Sequence, residues 1–294
     1  MATGLSLHEP VAALQRDLVE LLRKSVDDLG DAATPLDARV HELRKRMKRA
    51  RAWAQILPAP LGRTVDRALR DVHRRLGARR DLDATLEALT RLGAAARARG
   101  RDDARDAMHA VRERLRNTLS ADATAQVVAG VRDDLDNLAR VIGNKPLHGD
   151  FPLVADGVAA IARRSRHAMR RALASGEARD YHRWRKWMKY HWFHLRYLAP
   201  LWPELLRVEA TAAEHAAEWL GESQDIELVR RAIDDTPLPP AQYLALVALV
   251  DREQQRLLRQ AASVGLHLHA ETPRAFERRI GNYWKARLYR RTSS

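Results

Sequence analysis

Apolar residues recur at helical spacing along the whole chain. Leu14, Leu18, Leu21, Leu22 and Leu29 show the pattern near its start, with spacings of three, four and seven residues that are typical of one helix face. No segment alternates apolar and polar residues as a strand does. Proline and glycine divide the pattern into about a dozen helices, and the sequence therefore predicts an all-α fold. The breaks fall at Pro35, at Pro58 with Pro60, at Gly100, at 143–152, at Pro200 with Pro203, at 237–240 and at Pro273.

Two blocks of sequence occur twice, in the same order. Residues 41–48 match residues 182–189 at an offset of 141, with His, Arg, Lys, Met and Lys identical at equivalent positions. Residues 76–83 match residues 220–227 at an offset of 144, where a Leu-Gly pair precedes an acidic segment. Because the order is kept and the offset is nearly constant, these blocks indicate a long internal duplication and not a short-period solenoid.

A third match extends the duplication towards the N-terminus. The leucine pattern that begins at Leu14 matches the pattern that begins at Val154, at an offset of 140. The sequence therefore predicts two antiparallel helical bundles, formed by 1–146 and 147–294 and packed with pseudo-two-fold symmetry. The connector at 143–152 is short, so we expect the bundles to pack together as one unit.

A basic stripe runs along the helix predicted at 36–57. At about 100° per residue, His41, Arg44, Lys48 and Arg51 share a stripe about 80° wide. The apolar face of the helix lies directly beside it, so these cations are expected to line a groove between helices. The alternative is a solvated basic helix face with no ligand.

The second copy of the block repeats this stripe. His182, Arg185, Lys189 and Arg196 fall on one side of the second helix, whose apolar side is formed by Trp184, Met188, Leu195 and Leu198. Trp192 takes the position of the arginine that ends the first stripe. Aromatic side chains alternate with these cations along the helix. They are candidates for stacking against arginine or a nucleobase. They are Trp187, Tyr190, Trp192, Phe193 and Tyr197.

The charge of the chain favours an anionic partner. Its 294 residues include 52 Lys and Arg against 38 Asp and Glu, a net +14, and 45 of the basic residues are arginine. The excess divides equally, with +7 in each half. Like charges this dense repel one another unless a polyanion lies between them. No apolar run reaches the ~18–20 residues of a membrane span, and a cytoplasmic protein is expected.

Neither motif histidine predicts a catalytic or metal centre. His41 and His182 are each followed at i+3 by arginine and not by a second ligand, and cysteine is absent, so a zinc site is not expected. Both are interpreted as phosphate hydrogen-bond donors. Alternatives are a helix histidine satisfied by a carboxylate, or a phosphoryl acceptor in a phosphotransferase or polyphosphatase. Enzyme signature motifs are missing, so no catalysis and no cofactor are expected.

Two acidic residues follow the repeated Leu-Gly pairs. Asp81 and Asp225 each precede an apolar-periodic segment. They are expected to cap a helix or lie in its first turn, with the orientation of arginines from the basic helix as the alternative role.

Together these motifs resemble the CHAD family, the conserved histidine α-helical domain. Each repeat of that family opens with a His-x-x-Arg-x-x-x-basic helix and continues with a Leu-Gly-x-x-Arg-Asp-type segment. The second repeat departs from this pattern at Trp192 and Gln224, where basic residues are usual. The resemblance spans essentially all 294 residues as one CHAD domain. The motif residues are His41, Arg44, Lys48, Arg49, Arg51, Leu76, Gly77, Arg80 and Asp81 in the first repeat and His182, Arg185, Lys189, Leu220, Gly221 and Asp225 in the second.

The resemblance implies binding of inorganic polyphosphate through a basic surface or channel between two helical bundles. It also implies association with polyphosphate or storage-polymer granules. Binding of RNA or single-stranded DNA is the alternative function; otherwise nucleic acid is expected only as a non-specific competitor. The candidate polyphosphate-binding residues are His41, Arg44, Lys45, Lys48, Arg49, Arg51, His182, Arg185, Lys186, Lys189, Arg196, Arg23, Lys24, Arg163 and Arg164.

Overall fold

The described part of the chain consists of α-helices joined by short loops, in a computed structural model. The structure describes residues 5–98, 100, 102–116, 123–144 and 146–292, without the side chains of 77–81, 83, 116, 123–127 and 290–292. These residues contain no strand, so the all-α prediction is confirmed. The helices are α1 Pro10–Gly30, α2 Leu36–Ala54, α3 Leu61–Arg75, α4 Gly77–Arg97, α5 Asp102–Arg116, α6 Ala123–Gly143, α7 Phe151–Ser175, α8 Ala178–Leu198, α9 Pro203–Asp234, α10 Pro240–Leu268 and α11 Pro273–Thr292, with a 3-10 turn at Ala199–Leu201.

Proline and glycine set several of the helix ends, as the sequence predicts. Pro203, Pro240 and Pro273 are the first residues of α9, α10 and α11, where the missing N–H of proline has no intrahelical partner to lose. Gly176 ends α7 in the left-handed conformation, at φ 68°, and its N–H donates to the carbonyl of Ala172. Glycine adopts this conformation without the steric penalty of a Cβ.

Two hydrophobic cores hold the helices together. The larger core joins α1, α2, α3 and α6 to α7, α8, the first part of α9 and α11. The smaller core is formed where α4 and α5 pack against α9 and α10. Helices of the first half therefore pack directly on helices of the second half in both cores.

Helix contacts in the first half have counterparts in the second. Helix α1 packs on α6 and α2, and α7 packs in the same way on α11 and α8. Helix α2 also contacts α3, as α8 contacts α9. The duplication, the pseudo-two-fold symmetry and the division between 1–146 and 147–294 stay predictions.

The second half differs from the first at its Leu-Gly pair. A break at Leu76 separates α3 from α4, whereas α9 continues through Leu220 and Gly221 as one helix of 32 residues. Asp225 therefore lies in the interior of α9, and the prediction that it caps a helix or lies in its first turn is wrong. The helix bounds make Asp81 the fifth residue of α4, and its side chain lies outside the described residues.

The two basic helices, α2 and α8, pack against each other at the centre of the larger core. Nε2 of His194 donates to the carbonyl of Ala52 at 2.7 Å, and the rings of Trp53 and Tyr197 are 5.7 Å apart. Helix α7 approaches the end of α2 closely, because a Cβ at Gly157 would lie 2.9 Å from Cα of Ile56. This packing brings cations from both motif helices to one region.

The apolar faces predicted for α2 and α8 are confirmed. Leu43, Met47 and Ala50 of α2 are buried, as are Trp184 and Met188 of α8. The helical pattern therefore places the basic stripes beside the buried seam, as expected from the sequence. None of the helices that the structure describes is both long and apolar enough to cross a membrane.

Candidate functional site

One arginine of each basic stripe is directed at the repeated Leu-Gly segment. Arg44 is buried; its Nη1 donates to the carbonyl of Leu76, and its Nη2 lies 3.3 Å from Nε2 of His73. In the second half, Nη1 of Arg185 donates to Oε1 of Gln224 at 2.7 Å. These arginines hold α2 and α8 against the helices that follow them.

Gly221 allows the second of these contacts. A Cβ at this position would lie 3.1 Å from Nε and Nη2 of Arg185, so a larger residue would displace the guanidinium. Asp225 is engaged elsewhere, since Nη2 of Arg91 lies 3.5 Å from its Oδ2. The Leu-Gly segment thus orients the stripe arginine in both halves, through a carbonyl in one and an amide in the other.

A second buried arginine of α2 also has a structural role. Arg46 forms ion pairs with Asp28 of α1 and with Glu42, and its Nη1 donates to the carbonyl of Lys24 at 3.3 Å. Its side chain is 9% exposed. The guanidinium is therefore stabilised by these protein contacts and is largely withdrawn from solvent.

Four cations from four helices converge around Tyr190 of α8. Arg51 of α2, Arg70 of α3, Arg164 of α7 and Lys186 of α8 all act electrostatically on this region, together with one carboxylate, Asp66 of α3. We call this group of four cations, Asp66, Trp187 and Tyr190 the Tyr190 cluster.

Aromatic rings hold the cations of the Tyr190 cluster in place. Nζ of Lys186 lies 4.1 Å from the ring centroid of Trp187 and 5.8 Å from that of Tyr190. The guanidinium of Arg164 lies 5.1 Å from the Trp187 centroid, and that of Arg51 lies 5.9 Å from the Tyr190 centroid. Such contacts stabilise a cation without using its N–H groups as hydrogen-bond donors. Nη1 of Arg164 does donate elsewhere, to Oε1 of Gln55 at 3.0 Å.

The cations of this cluster destabilise one another. Burial lowers the pKa of Lys186, and the positive charges of Arg51, Arg70 and Arg164 lower it further, against the opposing effect of Asp66. The one carboxylate is engaged, because Nε of Arg51 donates to Oδ1 of Asp66 at 2.9 Å. The cluster therefore holds more positive charge than its own carboxylate balances.

The cluster also contains an unsatisfied donor. Tyr190 is 3% exposed, and its hydroxyl has no hydrogen-bond partner among the described residues. Burial raises the pKa of this hydroxyl, so it stays protonated and can donate. A buried donor without a partner is destabilising by itself, and an acceptor placed here would satisfy it.

A second group of charged side chains, from α2, α8 and α9, surrounds Lys189. Nζ of Lys189 lies 4.9 Å from the ring centroid of Trp192. Burial lowers the pKa of Lys189, and Arg185 and Lys45 lower it further, whereas Glu218 and Glu214 of α9 raise it. Glu42 belongs to the same group, because its carboxylate forms an ion pair with Lys45 at 3.2 Å. We call the group the Lys189 cluster; its members are Lys45, Arg185, Lys189, Glu42, Glu214 and Glu218.

Besides these two clusters, a pair of arginines flanks the contact between α2 and α8. The guanidinium of Arg49 lies 5.2 Å from the ring centroid of Trp53, and that of Arg196 lies 5.4 Å from the centroid of Trp192. Burial lowers the pKa of Arg49, and the charge of Arg196 lowers it further. Nε of Arg49 has no partner in the described structure.

The remaining candidates are spread over the surface. His41, His182 and Arg163 are exposed, and Lys48 is half-buried. Within the described part of the chain, no group of three or more His, Asp or Glu side chains is arranged to hold a metal ion.

Arg23 and Lys24 line a different cavity. They belong to a cleft of about 740 Å³ between α1 and residues 143–148, and its lining includes no residue of α2 or α8. Acidic side chains on α1, among them Glu20 and Asp27, line the same cleft. The repeat therefore pairs these two residues with Arg163 and Arg164 in sequence, but the structure places them in different surroundings.

The aromatic residues of α8 mostly face the core. Tyr190, Trp192, Phe193 and Tyr197 are buried, and Trp187 is half-buried, with Lys186 and Arg164 against its ring. Their main contacts are with neighbouring rings and cations, which is a structural role. None of the four buried rings presents an open face to a nucleobase.

Comparison with known families identifies the chain. The family model described as CHAD domain matches residues 37–234, which is more than half of the sequence. The chain belongs to the CHAD family. No curated protein and no solved structure matches it.

The matched part of the CHAD domain runs from α2 to α9 and contains the Tyr190 and Lys189 clusters. Arg70 and Tyr190 were not among the residues that the motif singled out. Arg70 lies on α3, outside both repeated blocks, and its closeness to Lys186 depends on how α3 packs beside α2. The available signal was the basic run at 63–75, which by itself is indistinguishable from an exposed helix face.

Proposed function

We propose that this CHAD domain binds inorganic polyphosphate without catalysing a reaction. The observation that carries the proposal is the Tyr190 cluster, where four cations from four helices face one engaged carboxylate. The repulsion between these four cations is relieved when an anion with several negative charges binds among them. The folded protein therefore favours the binding of a polyanion at this cluster.

Binding is multivalent in this proposal. Guanidinium groups present a planar fork that matches two phosphate oxygens, and the lysine ammonium binds as a compact point charge. Each pair releases condensed counterions from the polymer, which makes the affinity depend steeply on salt. A chain of identical phosphates carries no bases to be read, so donors and charges suffice for recognition.

The character of the groups supports binding over catalysis. The Tyr190 cluster offers N–H and O–H donors, and its carboxylate, Asp66, already accepts a hydrogen bond from Arg51. A phosphoryl transfer would require a positioned nucleophile or base as well. The family resemblance further supports a role in holding the protein at polyphosphate or storage-polymer granules.

A competition experiment tests the proposal against nucleic-acid binding. The affinity of the full chain for long-chain polyphosphate is measured at fixed ionic strength, with single-stranded RNA and heparin as competitors. We expect polyphosphate to bind more tightly than either competitor. We also expect its affinity to fall by about a hundredfold between about 50 and 200 mM salt, as four phosphate contacts would imply. Tighter binding of RNA at the same salt would contradict the proposal and favour the nucleic-acid alternative.

A further inference from the structure

Two lysines at equivalent positions of the repeated block have different surroundings. Lys45 and Lys186 are separated by the 141-residue offset of the repeated block. Lys45 is exposed, and its Nζ forms an ion pair with Glu42 at 3.2 Å. Lys186 instead lies against the rings of Trp187 and Tyr190 and among other cations. The positions are equivalent in sequence but not in electrostatics.

Charged residues on the helices that flank the two lysines make their electrostatic surroundings still more different. At the 144-residue offset that aligns Leu76 with Leu220, Arg70 of α3 corresponds to Glu214 of α9. By the same offset, the next turn has Arg74 in α3 and Glu218 in α9. At the 141-residue offset, Arg51 of α2 corresponds to Trp192 of α8. Each change removes positive charge from the second half or adds negative charge to it.

The resulting balance differs between the clusters. In the Tyr190 cluster four cations face one carboxylate, Asp66. In the Lys189 cluster three cations, Lys45, Arg185 and Lys189, lie with the carboxylates of Glu214, Glu218 and Glu42. Glu42 also pairs with Arg46, and Arg196 shares the Trp192 ring with Lys189, so the contrast between the clusters rests on the two glutamates of α9. A polyanion that crossed both clusters would gain attraction at the first and meet carboxylate repulsion at the second.

We propose that the polyphosphate site is one-sided, with the end of a phosphate chain bound in the Tyr190 cluster and the Lys189 cluster left outside the contact. This inference rests on the proposed function and specifies its ligand as a short run of terminal phosphates. Arg70 and Tyr190 then become binding residues, and Glu214 and Glu218 limit the length of chain that is bound.

The charge of a chain end matches the Tyr190 cluster. An internal phosphate of the polymer carries one negative charge, whereas a terminal phosphate carries nearly two at neutral pH, because its second pKa lies near 6, as in a phosphate monoester. A dense group of cations gains most from the more highly charged end. The Tyr190 hydroxyl, buried and without a partner among the described residues, supplies an additional donor to a phosphate oxygen.

The equivalent lysines provide a matched test. Lys186→Gln and Lys45→Gln each remove one charge at the same position of the repeated block. Lys285→Gln, on the exposed face of α11, controls for net charge. Affinities for inorganic tripolyphosphate and long-chain polyphosphate are measured by calorimetry at one salt concentration. We expect Lys186→Gln to weaken both ligands by at least about tenfold, and Lys45→Gln to weaken both by a several-fold smaller factor.

The flanking helices provide a second pair of variants. Arg70→Gln is expected to weaken tripolyphosphate binding, whereas Glu214→Gln is expected to strengthen the binding of long chains more than that of tripolyphosphate. If Lys186→Gln and Lys45→Gln lost affinity equally while the wild type still bound polyphosphate, the one-sided site would be overturned. The proposed function would then remain intact. Absence of wild-type binding to both ligands would overturn the proposed function as well.

A nucleoside triphosphate presents the same terminal phosphates and forms a separate arm of the experiment. If phosphates alone are recognised, it should bind no more tightly than tripolyphosphate, because Lys186 and Arg164 lie against the Trp187 ring. Tighter binding of the nucleotide would identify a nucleotide site and overturn the proposal.

Discussion

Replacing Arg164 and Lys186 together by glutamine is expected to lower the affinity for polyphosphate by about a hundredfold or more. Hydrogen bonds between charged groups contribute about 1.5–3 kcal/mol each, and two of them correspond to at least that factor in the dissociation constant. Arg164 lies on α7 and Lys186 on α8, and both contact the ring of Trp187. The variant therefore removes half of the cations of the Tyr190 cluster.

The matched control removes the same charge elsewhere. Arg114 of α5 and Arg252 of α10 are exposed, and neither helix contributes to the Tyr190 or Lys189 cluster. The double variant Arg114→Gln, Arg252→Gln should lose only a few-fold in affinity, through its reduced net charge. Arg44 and Arg185 are poorer choices for this experiment, since Arg44 is buried and both hold the basic helices against the Leu-Gly segments. Arg164 is exposed, and its hydrogen bond to Gln55 joins α7 to the end of α2. If the control and the cluster variant lost affinity equally, binding would depend on net charge and the site assignment would be wrong.

Acidification from about pH 7 to about pH 5 is expected to lower the free energy of unfolding by roughly 2 kcal/mol for each of two buried histidines, His194 and His269, with a further loss from His191. Burial lowers the pKa of His194 and of His269 to about 4, from the ordinary value of 6.5. Burial also lowers the pKa of His191 well below the ordinary value, and the nearby His269 adds to the effect.

The sign follows from the protons bound in each state. Between about pH 6.5 and pH 4 the unfolded chain binds protons at these histidines and the folded chain does not, so stability falls as the pH falls. Asp17 acts in the opposite direction, because burial raises the pKa of its carboxyl to about 6 and the folded state then binds the extra proton. Burial also raises the pKa of the Glu222 carboxyl. With three histidines against these two carboxyls, the net effect is a loss of stability in acid.

Chemical denaturation across this pH range measures the effect. His194→Gln retains an amide donor for the carbonyl of Ala52 and removes one titrating group, so its stability should depend less steeply on pH than that of the wild type. His109→Gln, on the exposed surface of α5, serves as the control and should keep the wild-type slope. The same slope in the wild type and in His194→Gln would contradict the assignment.

The sequence was a good guide to helix faces. The three- and four-residue spacing of Leu43, Met47 and Ala50 predicts one buried face for α2, and these residues are buried. The same rule holds for Trp184 and Met188 in α8. Periodicity succeeds here because burial of apolar area decides how an amphipathic helix packs.

The contacts of individual charged side chains were less predictable from the sequence. A helical projection gives the direction of a side chain but not the neighbour that it meets, so Arg44 appeared to face the groove. In the structure it is buried and donates to the carbonyl of Leu76. Asp225 was misread for a related reason. Its Leu-Gly pair resembles a helix break, but Gly221 lies inside α9 and accommodates Arg185.

Long-range packing accounts for the rest of the candidate site. Arg23 and Lys24 were assigned through their match to Arg163 and Arg164, yet they line the cleft between α1 and the connector. Arg70 was missed because only the packing of α3 brings it near Lys186. Sequence repetition therefore predicts which helices correspond, and tertiary contacts decide which of their charges meet.

The location of bound anions is the most direct test of the polyphosphate site. Crystals of the full chain grown with polyphosphate would show the ligand as electron density. We predict phosphate density at the Tyr190 cluster, within hydrogen-bonding distance of Lys186 Nζ, the Arg164 guanidinium and the Tyr190 hydroxyl. Ordered phosphates confined to the cleft lined by Arg23 and Lys24, with the Tyr190 cluster empty, would contradict it.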